Sequence, residues 1–221
     1  MGNIAVALRA KGFKDANDPQ EVVNRFIEYA RFIMFGHNLV RGNCEWRITA
    51  LELYLYFKDF NFWRDPYTHQ RPAQLKTGTW YVHDDGCRAP TYSGIDITCG
   101  SEDHGVFGGL LIRELDKEQR WVFQRIVRGN RHPFARKGNK WQDNERKMIQ
   151  DIHTKRIDDP TGLLQLVPCS HHAETLFKGP RVGLRPKLNE PTAQDFRLKP
   201  LRIAIWQTNQ HKLAMEAISD T

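Results

Sequence analysis

The sequence predicts one α+β domain, and three observations carry that expectation. Pro19 to Gly36 repeats apolar residues at helical spacing, Glu45 to Tyr56 switches to period two, and several short strand-like runs follow in an order that is not an alternating βαβ series. At 221 residues the chain is long enough for one generous domain, and it contains no internal repeat and no linker long enough to divide two. Hydrophobic residues make up 40% of it, with 6 Trp, 6 Tyr and 12 Phe, which excludes a disordered or low-complexity chain. No apolar run approaches the roughly 20 residues needed to cross a bilayer. Met1 to Ala10 lacks the features of a signal peptide, so an intracellular protein without a membrane partner is expected.

The first helix is predicted from Val22, Val23, Phe26, Ile27, Ala30, Ile33 and Met34, with Asp18 as N-cap ahead of Pro19 and Gly36 as the stop. In the following segment Leu51, Leu53 and Leu55 point one way, while Ala50, Glu52, Tyr54 and Tyr56 point the other. Strands are expected at Thr79 to His83, Ile95 to Cys99 and Leu110 to Leu115, and a closing pair at Arg181 to Leu184 and Leu201 to Trp206. Together they form an antiparallel or mixed sheet. Between them Trp121 to Ile157 is interrupted by Gly129, Pro133 and Gly138 before a short helix over Asp143 to His153.

The net charge of +7 is local: Lys117 to Arg156 carries twelve basic and four acidic residues, leaving the rest of the chain at −1. Such a segment is the electrostatic footprint of a polyphosphate partner, or else a solvated basic face. Four cysteines, Cys44, Cys87, Cys99 and Cys169, form no CxxC pair, so no disulfide framework is expected. Zinc ligands are available near Cys169, His171 and His172, and among His83, Cys87, Cys99 and His104, but in no standard spacing, which favours free thiols and surface imidazoles. Gly105-Val106-Phe107-Gly108-Gly109 is neither a Walker nor a Rossmann fingerprint.

Glu52 is the first candidate for chemistry. It stands between Leu51 and Leu53 in a strand, on the face it shares with Tyr54, where a carboxylate is costly unless it is paired or used. The alternative is an edge-strand glutamate facing water.

Five blocks in order, the last made of two segments, then resemble the alkyladenine (3-methyladenine) DNA glycosylases over roughly residues 38–206. Ile48-Thr49-Ala50-Leu51-Glu52-Leu53-Tyr54 is similar to that family's strand ending in Glu-Ala-Tyr, and Asp65-Pro66-Tyr67-Thr68-His69 to the approach to its pocket histidine. Lys76 to His83 resembles its Tyr-Val-Tyr strand, and Gly109 to Leu115 its Leu-Ile-Arg strand. Pro180-Arg181-Val182-Gly183-Leu184 and Lys199-Pro200-Leu201-Arg202 are similar to its closing segments.

The resemblance implies a curved sheet with flanking helices, and a monomeric, monofunctional glycosylase that flips a modified base out of double-stranded DNA without metal or cofactor. It implies that Glu52 activates water, helped by Arg113 and the carbonyl of Val182, and that Tyr54, His69, Tyr81, His83 and Asp96 line the base pocket. Arg125, Arg128, Arg131, Arg136, Lys137 and Lys140, with Arg181 and Lys199, are the expected DNA contacts.

The sequence departs from the family at its wedge, where Asp84 to Ser93 stands, and at Asp96 and His83, which replace an amide and a phenol. An acceptor-only Asp96 is expected to favour a cationic alkylpurine, or an amine-bearing base with a bulky adduct, over hypoxanthine. Two rival readings are a non-catalytic DNA-binding module and a metal-dependent nuclease built on His83, Asp84, Asp85 and His104.

Overall fold

The computed structural model describes residues 4–10, 12–83, 93–116, 122–128, 142–187, 190–206 and 215–218. Helix α1 (Ile4–Ala10) leads through a 3-10 turn (Phe13–Asp15) into α2 (Pro19–Gly36). The Asp18 side chain caps α2 by accepting the Glu21 N–H at 2.9 Å. The chain turns directly from α2 into β1 (His37–Arg41), which is joined to β2 (Cys44–Phe57) through Gly42 at φ +53, a backbone angle suited to glycine. After a second 3-10 turn (Pro72–Leu75) come β3 (Thr77–Val82), β4 (Ile95–Cys99) and β5 (Val106–Leu115). They are followed by α3 (Val122–Arg128), α4 (Asp143–Ile152), β6 (Gln165–Pro168), β7 (Phe177–Gly179), α5 (Ala193–Leu198), β8 (Arg202–Ala204) and β9 (Glu216–Ala217).

The main sheet runs β3-β4-β5-β2-β8-β7-β9, with β1 branching from β2 and β6 pairing with β1, and every pairing among the described residues is antiparallel. The fold is therefore α+β with one large antiparallel sheet in a single domain. Period two explains its layering. Leu51, Leu53, Leu55, Leu110, Ile112, Ile95, Ile97, Trp80 and Val82 join Phe26, Tyr29 and Ile33 of α2 in one buried apolar cluster. At roughly 1.5–3 kcal/mol for each large side chain removed from water, that face fixes the register of the sheet. The opposite face is left for polar residues. No helix among the described residues is long and apolar enough to cross a membrane.

One strand differs from expectation. Residues 181–184 do not pair; the partner of β8 is Phe177–Gly179 instead. Pro180 has no N–H for the ladder, so the chain leaves the sheet there and Arg181 turns inward. The helix expected over Asp143 to His153 is present as α4 and the strand expected over Ile95 to Cys99 as β4, while β2, β3 and β5 begin earlier than periodicity marked them, at Cys44, Thr77 and Val106.

Candidate active site

One transverse row of the sheet organises the polar face. Glu52 is paired with Leu111 on one side and with Arg202 on the other, Leu111 with Asp96, and Asp96 with Tyr81. Directly opposed residues project to the same face, so Tyr81, Asp96, Leu111, Glu52 and Arg202 stand in line across five strands. Glu52 is central in the sheet and fully buried, not on an edge facing water.

A β-bulge adds the next group. Leu51 opposes Ile112 and Ala50 opposes Glu114, which leaves Arg113 without an opposite residue on β2. Such an extra residue re-aims its side chain, and the Arg113 Nε lies 3.4 Å from Glu52 Oε1. The same oxygen accepts the backbone N–H of Val182 at 2.9 Å, and Oε2 accepts the Tyr54 hydroxyl at 3.0 Å. All three neighbours are donors, so the carboxylate is used as an acceptor on both oxygens. Glu52 in turn holds the Arg113 guanidinium above its ordinary value. Burial, with the adjacent Glu52, pushes the Tyr54 phenol well above its own, which keeps it a donor. On this face Glu114 also faces Arg202, at 3.6 Å.

Val182 reaches Glu52 because Arg181 is pinned. The Arg181 guanidinium is fully buried, bonds both oxygens of Asp65 (2.5 and 3.0 Å) and donates to the carbonyls of Leu53 and Phe196. It lies 4.4 Å over the Tyr54 ring and 5.5 Å over that of Tyr67. Arg181 is thus corrected from a DNA contact to an internal clamp: with no exposed surface it offers nothing to a phosphate. The flanking loops are tied as well, by Tyr67 donating to the Arg185 carbonyl and Lys187 to that of Pro66. Gly183, at φ +76, lets the backbone turn straight after the Val182 contact. The contact Val182 makes with Glu52 is through its N–H rather than its carbonyl.

The other expected pocket residues gather at the β3 end of the row. The Tyr81 hydroxyl lies 2.9 Å from His69 Nδ1, and the rings of His69 and Tyr81 stand 4.6 and 5.3 Å from that of His83. His83 Nε2 is 2.8 Å from Asp96 Oδ1. Two glycines make the room: a Cβ on Gly109 would collide with Asp96 Oδ2, and one on Gly94 would come within 3.0 Å of the His83 ring. His153, just beyond α4, accepts the Val82 N–H at 3.1 Å and packs on Tyr81 at 5.7 Å.

The expected DNA-contacting residues are more dispersed. Arg125 is engaged with the Leu115 carbonyl and, at 3.7 Å, with Asp116, while the Lys199 ammonium lies over the rings of Trp63 and Phe196. Arg128 ends α3, and Arg131, Arg136, Lys137, Lys140, Asp84, Asp85 and Cys87 lie outside the described residues. Cys44, Cys99 and Cys169 are free thiols, His171 bonds Asn38, and His104 bonds Ser101. Among the described residues no three His, Cys, Asp or Glu side chains converge as metal ligands would. A cavity of about 370 Å³, bounded by Phe13, Lys76, Thr77, Gly100 and His104, shares no residue with the Glu52 site.

Sequence reasoning missed Asp65 as a partner for Arg181, Glu114 beside Arg202, and His153. The first two had a signal in retrospect, since each is an acidic residue beside an apolar or aromatic run. His153 had none.

The fold and the site define an α+β domain with a buried, donor-surrounded glutamate at the centre of an antiparallel sheet. No family model matches the chain. It is 26% identical over 233 residues to the uncharacterized protein L759 of Acanthamoeba polyphaga mimivirus, an alignment covering 94% of this chain and 95% of that protein.

Proposed function

We propose that this chain is a monofunctional DNA N-glycosylase that excises a modified base from double-stranded DNA and leaves an abasic site. The observation that carries the proposal is the buried Glu52 carboxylate held by Val182, Tyr54 and Arg113. N-glycosidic hydrolysis passes through an oxocarbenium-like state, so a carboxylate beside the sugar both stabilises the developing positive charge and takes a proton from water. The 3.4 Å separation of Arg113 from Glu52 is longer than the roughly 2.7–2.9 Å of a closed charge-assisted bond. Arg113 therefore stands beside the carboxylate without being locked to it, and its partly exposed side chain is suited to share a water with Glu52. Tyr81 in the row, with Tyr54, His69 and His83 beside it, supplies flat surfaces for an extruded base, and the basic segment from Lys117 to Arg156 supplies phosphate contacts.

The test is mass spectrometry of what the chain releases from duplexes carrying alkylated, deaminated or bulky modified bases. Free base with an intact backbone at the abasic site is the expected product. Chelator-sensitive strand cleavage without free base would favour the nuclease reading instead, and binding with no product the non-catalytic one.

A further inference from the structure

The outer edge of β3 is closed by the segment that follows α4. Trp80 donates its N–H to the Lys155 carbonyl at 2.8 Å and accepts the Thr154 N–H at 2.7 Å, and Gly78 accepts the Ile157 N–H at 3.1 Å. Alternation along the strand sends the Val82 N–H toward the same edge. At that level the chain is already turning out of α4, with the His153 N–H closing the last helical turn on the Ile149 carbonyl and Thr154 at φ +63. A side chain takes the place of a backbone carbonyl there, and Val82 donates to His153 Nδ1 at 3.1 Å. A backbone N–H can only donate, so Nδ1 is the unprotonated nitrogen and the ring proton sits on Nε2. The bond is open to the neutral imidazole alone. Val82 is fully buried, so losing this acceptor strands a donor away from water.

We propose that His153 is a proton-sensitive latch that holds the C-terminal end of α4 on the edge of β3 and releases it in acid. Protonation puts an N–H on the nitrogen that faces the Val82 N–H, so two donors meet and that end of the seam opens. The consequence reaches the candidate site, because the His153 ring packs on Tyr81 at 5.7 Å and the Tyr81 hydroxyl lies 2.9 Å from His69 Nδ1. Tyr81 is the titratable side chain that β3 sets against the ring. The charged side chains of the latch's own segment, Asp151, Lys155 and Arg156, are exposed, and Arg156 is paired with Asp158 at 3.0 Å. The bond is present while the imidazole is neutral and is lost as pH falls through the range where it takes up a proton. The latch is independent of what the chain acts on, and its test needs no DNA.

The experiment is residue-resolved amide hydrogen exchange on the full chain between about pH 8 and about pH 5, corrected for the intrinsic pH dependence of exchange. Protection of the Val82 and Thr154 N–H groups should fall by about 10-fold or more on acidification. That of Leu53, bonded to the Leu201 carbonyl at 2.9 Å in the middle of the sheet, should hold. His153→Asn places a carbonyl oxygen where Nδ1 stands, on a side chain that does not titrate in this range, and should abolish the pH dependence. His153→Leu offers no acceptor and should leave Val82 poorly protected at every pH. Val82 protection that stays flat in the native chain, a pH limb that His153→Asn retains, or an equal fall at Leu53 would each overturn the latch.

Discussion

Val182 donates its backbone N–H to the Glu52 carboxylate at 2.9 Å across 130 residues of chain. The bond is local in space only because Arg181, one residue earlier, is anchored to Asp65 with neither side chain exposed. Stability and the geometry of the carboxylate are therefore coupled through one ion pair.

Breaking that pair should cost stability directly. Arg181→Met or Asp65→Asn leaves a buried charge uncompensated, and about 3–5 kcal/mol of unfolding free energy should be lost. The shift of the urea midpoint measures it. Arg181→Met combined with Asp65→Leu should recover much of the loss, and recovery of stability without recovery of base release would show that the clamp also sets the Val182 contact.

Two glycine substitutions should act in opposite directions. Gly109→Ala drives a methyl group into Asp96 Oδ2 and should destabilise by about 1–3 kcal/mol. Gly36→Ala, at the last residue of α2 with nothing within 4 Å of the new Cβ, should be neutral or stabilising by up to about 1 kcal/mol. Thermal unfolding of the two variants side by side is sufficient.

Alkaline pH should unfold the protein through two phenols. Burial raises Tyr29 and Tyr54 above the ordinary tyrosine value of 10.0. A group raised on folding contributes stability that is fully present below its unfolded value and is lost as pH rises through its folded one. Unfolding free energy should thus be flat with respect to these groups below about pH 10 and fall above it, by up to about 1.4 kcal/mol per pH unit for each phenol. Tyr54→Phe should remove one proton from that slope, measured by urea unfolding between pH 9 and 11.5.

Phosphate contact by the basic segment should appear as salt dependence. Replacing Arg131, Lys137 and Lys140 with alanine should weaken binding to all duplexes alike and reduce the slope of log affinity against log salt by roughly 0.9 for each contact removed. An unchanged slope would make the segment a solvated face.

The parts of this account legible in the sequence are those encoded by short-range periodicity. Asp18 ahead of Pro19 announced α2, and the alternation around Leu51, Leu53 and Leu55 announced both β2 and the exceptional position of Glu52. The Arg113 bulge was not legible, because it exists only in the count of β5 against β2. Arg181 reads as a surface cation until Asp65, 116 residues away, is folded against it. The α1 helix and β1 escaped detection because both are too short to establish a period: 7 and 5 residues. Residues 181–184 look strand-like by composition, but the missing N–H of Pro180 decides otherwise.

The most direct test of the central claim is single-turnover base release by Glu52→Gln on the best substrate found for the native chain, with DNA affinity measured in parallel. The side chain keeps its size while losing the charge and the ability to take a proton, so release should be abolished and affinity should stay within a few-fold of native. Base release by Glu52→Gln at a rate near native would contradict the account.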